Sequence, residues 1–209
     1  MSKVVVLGAG QWGTTMAQVL CDAGNHVLMW GRSQELVDEV NNKHTNSKYL
    51  DENILPVGLR ATTDLREAFE YSNIYVLAVP AQTLRENLTA WKSMVAPNAL
   101  FVSTLKGIEV STMSRMTEII SEVMQTENIA IITGPNLANE LVLRQPAGAV
   151  QKSWSTGGRQ GPRGRHACRS WRAETNKAGA DRSTPRNKTG GPSSSAWPWT
   201  TRSPHLVRF

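Results

Sequence analysis

A glycine-rich turn near the start of the chain is the first segment whose residue types and spacing could do chemistry. Residues 8–13 read GAGQWG, so Gly8, Gly10 and Gly13 stand at the spacing G-x-G-x-x-G. In such a turn the first glycine permits a tight bend, the second lets the backbone approach a pyrophosphate, and the third allows a helix to pack closely on a strand. The N-terminus of that helix offers unpaired N–H groups to the phosphates. The alternative is a glycine turn that binds nothing, and the flanking elements decide between the two.

The end of the next predicted strand bears on which dinucleotide would fit. Residues 26–30 (HVLMW) predict a strand that runs into Gly31 and Arg32, with no Asp or Glu at its end. NAD-specific sites usually carry an acid about 20 residues past the glycine motif, where it accepts the ribose 2′-hydroxyl. An arginine could instead pair with the 2′-phosphate of NADP. The cofactor is therefore NAD or NADP, and the alternative interpretation of Arg32 is a solvated loop charge.

Lys106 is the third candidate. It follows a buried strand predicted over residues 99–103 and precedes Gly107, so we expect its ammonium to project into the crevice at the carboxyl edge of the sheet. A cation there suits an anionic substrate, or the negative charge that develops on a carbonyl oxygen as a hydride arrives. The alternative is a surface lysine whose aliphatic stem covers apolar surface.

These residues need a framework of strands and helices to position them. Short apolar runs separated by amphipathic stretches predict an α/β fold, a Rossmann-type doubly wound parallel sheet that binds ligands at the carboxyl ends of its strands. Strands are predicted at residues 4–7, 26–30, 73–80, 99–103 and, as the last one, 129–133. Helices are predicted at residues 14–23, from residue 34 onward, and at 64–71, 82–94 and 113–124.

Cysteine count and hydropathy exclude several classes of protein. Two cysteines, Cys21 and Cys168, cannot build a disulfide framework or a thiolate metal site, so no metal is predicted and a reducing, cytoplasmic compartment fits best. Cys21 falls on the predicted buried face of a helix, where a free cysteine acts as a small hydrophobe. No apolar run approaches the roughly 20 residues that span a bilayer, so no membrane partner is expected.

The net charge of +6 conceals two different compositions. Residues 1–150 hold 11 Lys and Arg against 15 Asp and Glu, a net charge of −4, whereas residues 151–209 hold 12 against two, a net charge of +10. We therefore predict a dinucleotide-binding domain over residues 1–150 and a separate basic tail over residues 151–209.

Five motifs together resemble the bacterial NAD(P)-dependent glycerol-3-phosphate dehydrogenases, over about residues 3–150. The resemblance implies reversible hydride transfer between NAD(P)H and dihydroxyacetone phosphate, which gives sn-glycerol 3-phosphate for phospholipid synthesis in the cytoplasm. It also implies a small-molecule substrate, and the family is often homodimeric. The motifs are GAGQWGT at residues 8–14, LMWGR at 28–32, AVPAQ at 78–82, LKGIE at 105–109 and GPNLA at 134–138.

The same resemblance implies contacts to the dinucleotide. Gln11 and Trp12 within the glycine motif would touch it, as would Arg32. Ala138 would contact the cofactor from the last motif, and Lys106 would contact both cofactor and substrate.

Two further positions are implied to contact the substrate, Gly134 and Asn136. The family usually has Ser where Asn136 stands, and Asn can still hydrogen-bond a phosphate or a hydroxyl. The family also usually has Ser where Gln11 stands, and the bulkier Gln11 is expected to weaken binding beside the pyrophosphate.

The resemblance stops at Gln151. In the family a helical domain follows, closes the cleft and carries a second lysine that is the presumed proton donor, and no such segment follows here. Residues 151–209 contain few large aliphatic side chains, so we expect them to bury too little surface to offset chain entropy and to be disordered.

Two interpretations of residues 151–209 remain. Arginines with interspersed tryptophans could bind single-stranded nucleic acid, which would make the chain a non-catalytic dinucleotide-binding protein with a nucleic-acid-binding tail. Alternatively the segment is an out-of-frame translation of the helical domain, in which case nucleic acid is not a partner. We favour the second, because its Arg, Gly, Pro, Ala and Trp content resembles a GC-rich gene read in the wrong frame.

The coding DNA tests this interpretation directly. Translation of the other two frames past codon 150 should yield a segment with helical periodicity and a lysine suited to proton donation. If neither frame encodes such a segment, the out-of-frame interpretation is wrong and the basic tail stands as a genuine part of the protein.

Overall fold

The computed structural model describes residues 1–134, 136–145, 148–154 and 207–208, and within them a single sheet carries helices on both faces. The strands are β1 (Lys3–Leu7), β2 (His26–Trp30), β3 (Arg60–Thr62), β4 (Ile74–Leu77), β5 (Leu100–Ser103), β6 (Ile129–Thr133), β7 (Gly148–Trp154) and β8 (Val207–Arg208). The helices are α1 (Gln11–Asp22), α2 (Gln34–Lys43), α3 (Ser47–Leu50), α4 (Leu65–Tyr71), α5 (Leu84–Trp91), α6 (Met116–Met124) and α7 (Ala138–Val142). Two 3₁₀ turns, Ala81–Thr83 and Lys92–Met94, flank α5.

The strand order is β3-β2-β1-β4-β5-β6-β7-β8, and the first six of these strands are parallel. This confirms the predicted doubly wound sheet. The order reverses between β1 and β4, which are neighbours although two strands separate them in the sequence. Ligands of such sheets bind at the carboxyl ends of the strands beside this switch point. The glycine motif begins directly after β1 and therefore lies at that point.

Strand β1 is buried on both faces because helices cover the sheet on both sides. Successive side chains of a strand point to opposite sides. Val5 and Leu7 pack into one core cluster with side chains of α4, α5 and α6. Val4 and Val6 pack into the other, with side chains of α1, α2, α3 and α7. The continuous apolar run of β1 therefore reflects two apolar layers rather than one.

The sheet continues past the last predicted strand. β7 pairs antiparallel with β6 from Ile129↔Trp154 to Thr133↔Val150, and β8 pairs antiparallel with β7. The prediction that residues 129–133 form the last strand is therefore wrong. Pairing with β7 satisfies backbone N–H and C=O groups that β6 would otherwise expose as an edge strand. The sequence of β7, GAVQKSW, lacks the apolar alternation that predicts a strand.

β7 also runs across residue 150, the predicted end of the dinucleotide-binding domain, and that boundary stays a prediction. Disorder is predicted for residues 151–209. Of these, residues 151–154 lie in β7 and residues 207–208 in β8, and residues 155–206 and 209 lie outside the described part of the chain. Within the part that is described, no helix combines the length and apolar character needed to cross a membrane.

Several element ends differ from their predicted positions for local reasons. The helix predicted from residue 113 starts at Met116, because Met113 has a left-handed φ of +58° and Glu118 accepts a hydrogen bond from the N–H of Arg115 at 2.8 Å. The first helix starts at Gln11, three residues early, because the glycine turn itself forms its N-terminus. Strand β3 and the short helices α3 and α7 were not predicted.

Candidate functional site

The glycine turn leaves no room for side chains at two of its three glycines. Gly8 has a φ of +126°, and a Cβ there would lie 2.5 Å from the carbonyl oxygen of Ala78. A Cβ on Gly13 would lie 1.9 Å from the carbonyl oxygen of Gly8. Both distances are far below van der Waals contact, so helix α1 can approach the ends of β1 and β4 only because glycine stands at these positions.

The remaining glycine of the motif, Gly10, faces open space. A Cβ built there meets no atom within 4 Å, and Gly10 is the N-cap residue of α1. It provides no side-chain cap, and the first turn of α1 contains no acidic residue. The first N–H groups of the helix are therefore left for an external acceptor, and the helix dipole favours a negatively charged one. A pyrophosphate fits this cradle.

A buried hydrogen-bond network supports the turn from behind. Asn46 Nδ2 donates to the carbonyl oxygen of Ala9 at 3.2 Å and to Thr14 Oγ1 at 2.8 Å. Thr14 Oγ1 in turn donates to the same carbonyl at 3.3 Å. Asn46 and Thr14 are fully buried. Sequence reasoning missed Asn46, because it lies in the connection after α2 and belongs to no recognisable motif.

The end of β2 lies against the turn. A Cβ on Gly31 would be 2.7 Å from the Cβ of Ala9, so the backbone at Gly31 passes close to the turn, and its N–H donates to the carbonyl of Thr62 at 3.0 Å. Arg32 is the next residue and is exposed. It forms no ion pair with any residue that the structure describes. Arg32 therefore follows the strand end that contacts the glycine turn, without an ion-pair partner among the described residues.

Lys106 reaches across the carboxyl edge of the sheet. Its Nζ donates to the carbonyl oxygen of Gly134 at 3.3 Å and lies 5.9 Å from the centre of the Trp12 ring. Three predicted site residues from three different strand ends therefore meet. Lys106 is itself exposed, so its assignment as a crevice lysine rather than a surface lysine stays a prediction.

Two buried polar atoms near Lys106 have no hydrogen-bond partner among the described residues: Trp12 Nε1 and Asn136 Oδ1. Asn136 is only 7% exposed and follows Gly134 by two residues. A buried polar group without a partner costs about 1–3 kcal/mol. The donor of Trp12 and the acceptor of Asn136 are therefore left unsatisfied by the residues that the structure describes.

Helix α7 brings Ala138 to the start of α1. Gln11 Nε2 donates to Asn139 Oδ1 at 2.9 Å, and Gln18 Nε2 donates to the carbonyl of Val142 at 3.0 Å. These bonds fix α7 against α1 at both ends. The side chain of Gln11 is held by Asn139 in this arrangement, and the predicted weakening of pyrophosphate binding by Gln11 stays a prediction.

The side chains whose pKa values are shifted lie mainly away from these residues. Hydrogen bonds from Arg85 and then from Thr112 hold the pKa of the Glu109 carboxyl below its ordinary value. Burial, followed by the neighbouring Asp22 carboxylate, raises the pKa of the Cys21 thiol to about 11, which agrees with its predicted role as a small hydrophobe. The described residues include no group of three or more His, Cys, Asp or Glu side chains that could hold a metal ion.

Comparison with known proteins gives a consistent result for the first three quarters of the chain. The family model described as NAD-dependent glycerol-3-phosphate dehydrogenase N-terminus matches residues 3–156. A relative from Corynebacterium urealyticum, named glycerol-3-phosphate dehydrogenase, NAD(P)+, is 47% identical over 152 residues, which is 72% of this chain and 46% of that protein. A relative of the same name from Thermobifida fusca is 50% identical over 153 residues, again 46% of its length.

Solved structures of glycerol-3-phosphate dehydrogenases are also similar to this chain. The glycerol-3-phosphate dehydrogenase of Coxiella burnetii matches with a TM-score of 0.65 and 27% identity, over 71% of this chain and 46% of that one. The enzyme from Saccharomyces cerevisiae matches with a TM-score of 0.69 and 28% identity, over 76% and 49%. The chain thus spans about half the length of the relatives that it matches.

The glycine turn generates a paired prediction. Gly13→Ala should lower the free energy of unfolding by about 1–3 kcal/mol or more, because its Cβ collides with the backbone at Gly8. Gly10→Ala should leave stability within about 0.5 kcal/mol, because its Cβ enters open space, yet weaken dinucleotide binding. Urea denaturation and NADPH titration of both variants measure this. Equal stability losses for the two variants would contradict the described turn.

Glu109 generates a prediction on pH. Because its pKa is lowered in the folded state, its contribution to stability is complete above the unfolded value of about 4.3 and is lost as the pH falls through the folded value. The urea midpoints of wild type and Glu109→Gln should therefore differ at pH 7 and converge on acidification from pH 5 downward. A constant difference in midpoint over this range would show that the charge of the Glu109 carboxylate contributes nothing to stability.

Proposed function

The chain belongs to the family of NAD-dependent glycerol-3-phosphate dehydrogenase N-termini, and on this premise we propose that residues 1–150 form a domain that binds NAD or NADP at the glycine turn. The observation that carries the proposal is the open position of Gly10 at the uncapped start of α1. Hydrogen-bond donors of a helix N-terminus that face open space at the switch point of a parallel sheet suit a pyrophosphate.

The other parts of the dinucleotide would contact residues on both sides of the turn. Arg32 would lie beside the adenosine ribose, where its free guanidinium tolerates or pairs with the 2′-phosphate of NADP. Gln11 and Trp12 would contact the dinucleotide from the first turn of α1, and Ala138 from the start of α7. Gly8 and Gly13 would contribute by allowing the close approach of α1 rather than through side chains.

The substrate pair that we propose is dihydroxyacetone phosphate and sn-glycerol 3-phosphate, in the cytoplasm. The bound dinucleotide would supply or accept the hydride. Lys106 would attract the anionic substrate and stabilise negative charge on the carbonyl oxygen, since a cation placed where negative charge develops is effective at that task. Gly134 and Asn136 would orient the substrate, with Asn136 Oδ1 accepting a hydrogen bond from a substrate hydroxyl. Lys106 is the catalytic residue of this proposal.

We propose further that residues 1–209, assayed by themselves, turn over poorly. The family match ends at residue 156, and relatives continue for about as long again. The resemblance places the proton donor and the closure of the cleft in that second half. Loss of a general acid alone lowers rates by typically 10²–10⁴-fold. Dinucleotide binding should persist in weakened form, because its proposed contacts lie in the matched part.

Calorimetry tests the proposed dinucleotide binding, and a spectrophotometric assay tests the proposed slow turnover. NADPH should bind the chain saturably, and Lys106→Ala should weaken that binding because it removes the cation beside Trp12. Oxidation of NADPH by dihydroxyacetone phosphate should be about 10²–10⁴-fold slower than for the Thermobifida fusca relative under the same conditions. Absence of binding of both NADPH and NADH would contradict the proposed site, and near-normal turnover would contradict the proposed impairment.

A further inference from the structure

Lys106 begins a protruding loop that we call the lysine loop, residues 106–115. Gly107 follows the lysine with a φ of +102°, a backbone conformation that favours glycine. The loop then closes on itself through an antiparallel bridge between Ile108 and Arg115, and the N–H of Glu109 donates to the carbonyl of Ser114 at 2.9 Å. The loop contributes no helix or strand of its own, so other elements must fix its position.

Apolar burial contributes little to that position. Ile108, Val110 and Met113 are 39%, 74% and 68% exposed, so the large apolar side chains of the loop largely face solvent. Glu109 is the buried residue of this segment, at 6% exposure. A buried carboxylate stabilises a loop only where it is paired, since desolvation of an unpaired charge is costly.

Gln82 holds the loop at two points. This residue lies in the 3₁₀ turn that follows β4, and its Nε2 donates to the carbonyl of Ile108 at 2.9 Å. Its Oε1 accepts from the N–H of Val110 at 3.1 Å. One amide therefore pairs with the backbone on both sides of Glu109, in the manner of a neighbouring strand.

Arg85, one helical turn further along, completes the attachment. Its Nε and Nη2 donate to the two carboxylate oxygens of Glu109 at 2.9 and 3.0 Å. Its Nη1 and Nη2 donate to Glu122 of α6 at 2.8 and 3.0 Å. A planar guanidinium can serve two carboxylates in this way, whereas a lysine could not. The loop is thereby tied to two helices that pack firmly against the sheet.

The lysine itself is held weakly at its tip. The bond to the Gly134 carbonyl is long, at 3.3 Å, and the Trp12 ring centre is near the limit of a cation–π contact at 5.9 Å. Such contacts do not by themselves fix a long side chain. The position of the ammonium therefore depends on the position of its backbone, three residues from Glu109.

We propose that Gln82 and Arg85 are positioning residues for Lys106, which place its ammonium over the dinucleotide crevice by fixing the lysine loop. The functional importance of this placement rests on the proposed function. The placement itself does not, because it is a property of the chain without ligand.

Nuclear magnetic resonance of the full chain tests the placement. With lysine labelled at Cε, the Lys106 signal is assigned by its absence in Lys106→Arg, and the Trp12 ring should displace it upfield of its own position in Trp12→Leu. The variant is the reference because Lys3 and Lys48 also lie near aromatic rings. Gln82→Ala and Arg85→Ala should lose most of that displacement. Arg60→Ala is the matched control, because it breaks an exposed arginine–glutamate pair with Glu67 far from the loop, and should keep the displacement.

Retention of the displaced signal in folded Gln82→Ala and Arg85→Ala would overturn the proposal, as would its absence from wild type. If Arg85→Ala does not fold, Gln82→Ala decides, because it leaves no buried charge unpaired.

A double-mutant cycle on NADPH affinity then measures whether Arg85 acts through Lys106. Arg85→Ala should weaken binding by about twofold or more in wild type and by less in Lys106→Ala, as expected for residues of one network. Equal losses in both backgrounds would overturn the proposal. A chain that shows the displaced lysine signal but binds neither NADPH nor NADH would contradict the proposed function and leave the positioning role of Gln82 and Arg85 supported.

Discussion

The close approach of helix α1 to the ends of β1 and β4 is the constraint on which the candidate site depends. A Cβ on Gly13 would overlap the carbonyl of Gly8, and one on Gly8 would overlap the carbonyl of Ala78. Because both side chains are absent, the N-terminus of α1 lies directly at the switch point of the sheet. The buried pair of Thr14 and Asn46 then holds the turn in place from behind. Without this close approach, the uncapped N–H groups of α1 would lie away from the carboxyl ends of the strands.

Around this turn the site is assembled from the ends of four parallel strands. β1 leads into the turn, and β2 presents Arg32 beside it. β5 leads into Lys106, and β6 leads into Gly134 and Asn136. The parallel register brings these carboxyl ends to one edge of the sheet, so residues far apart in the sequence converge without long-range motifs. The polar clamp of Gln82 and Arg85 acts on the least supported of these connections.

Sequence patterns predicted the parts of the molecule that depend on local chemistry. The glycine spacing, the apolar run of β1 and the position of Lys106 after a buried strand each follow from a few adjacent residues. Asn46 and Arg85 could not be found in this way, because their partners are distant in sequence and an isolated Asn or Arg has no signature. β7 was missed because its sequence, GAVQKSW, lacks an apolar alternation, whereas its pairing with β6 is formed by the backbone.

The proposed site depends on the N-terminus of α1 receiving the pyrophosphate of a dinucleotide. The most direct measurement is the backbone amide spectrum of the full chain during titration with NADPH. The amides of residues 10–13 should shift saturably and with a single dissociation constant, since charged acceptors approach their N–H groups. Shifts that leave residues 10–13 unchanged while other amides respond would contradict the account.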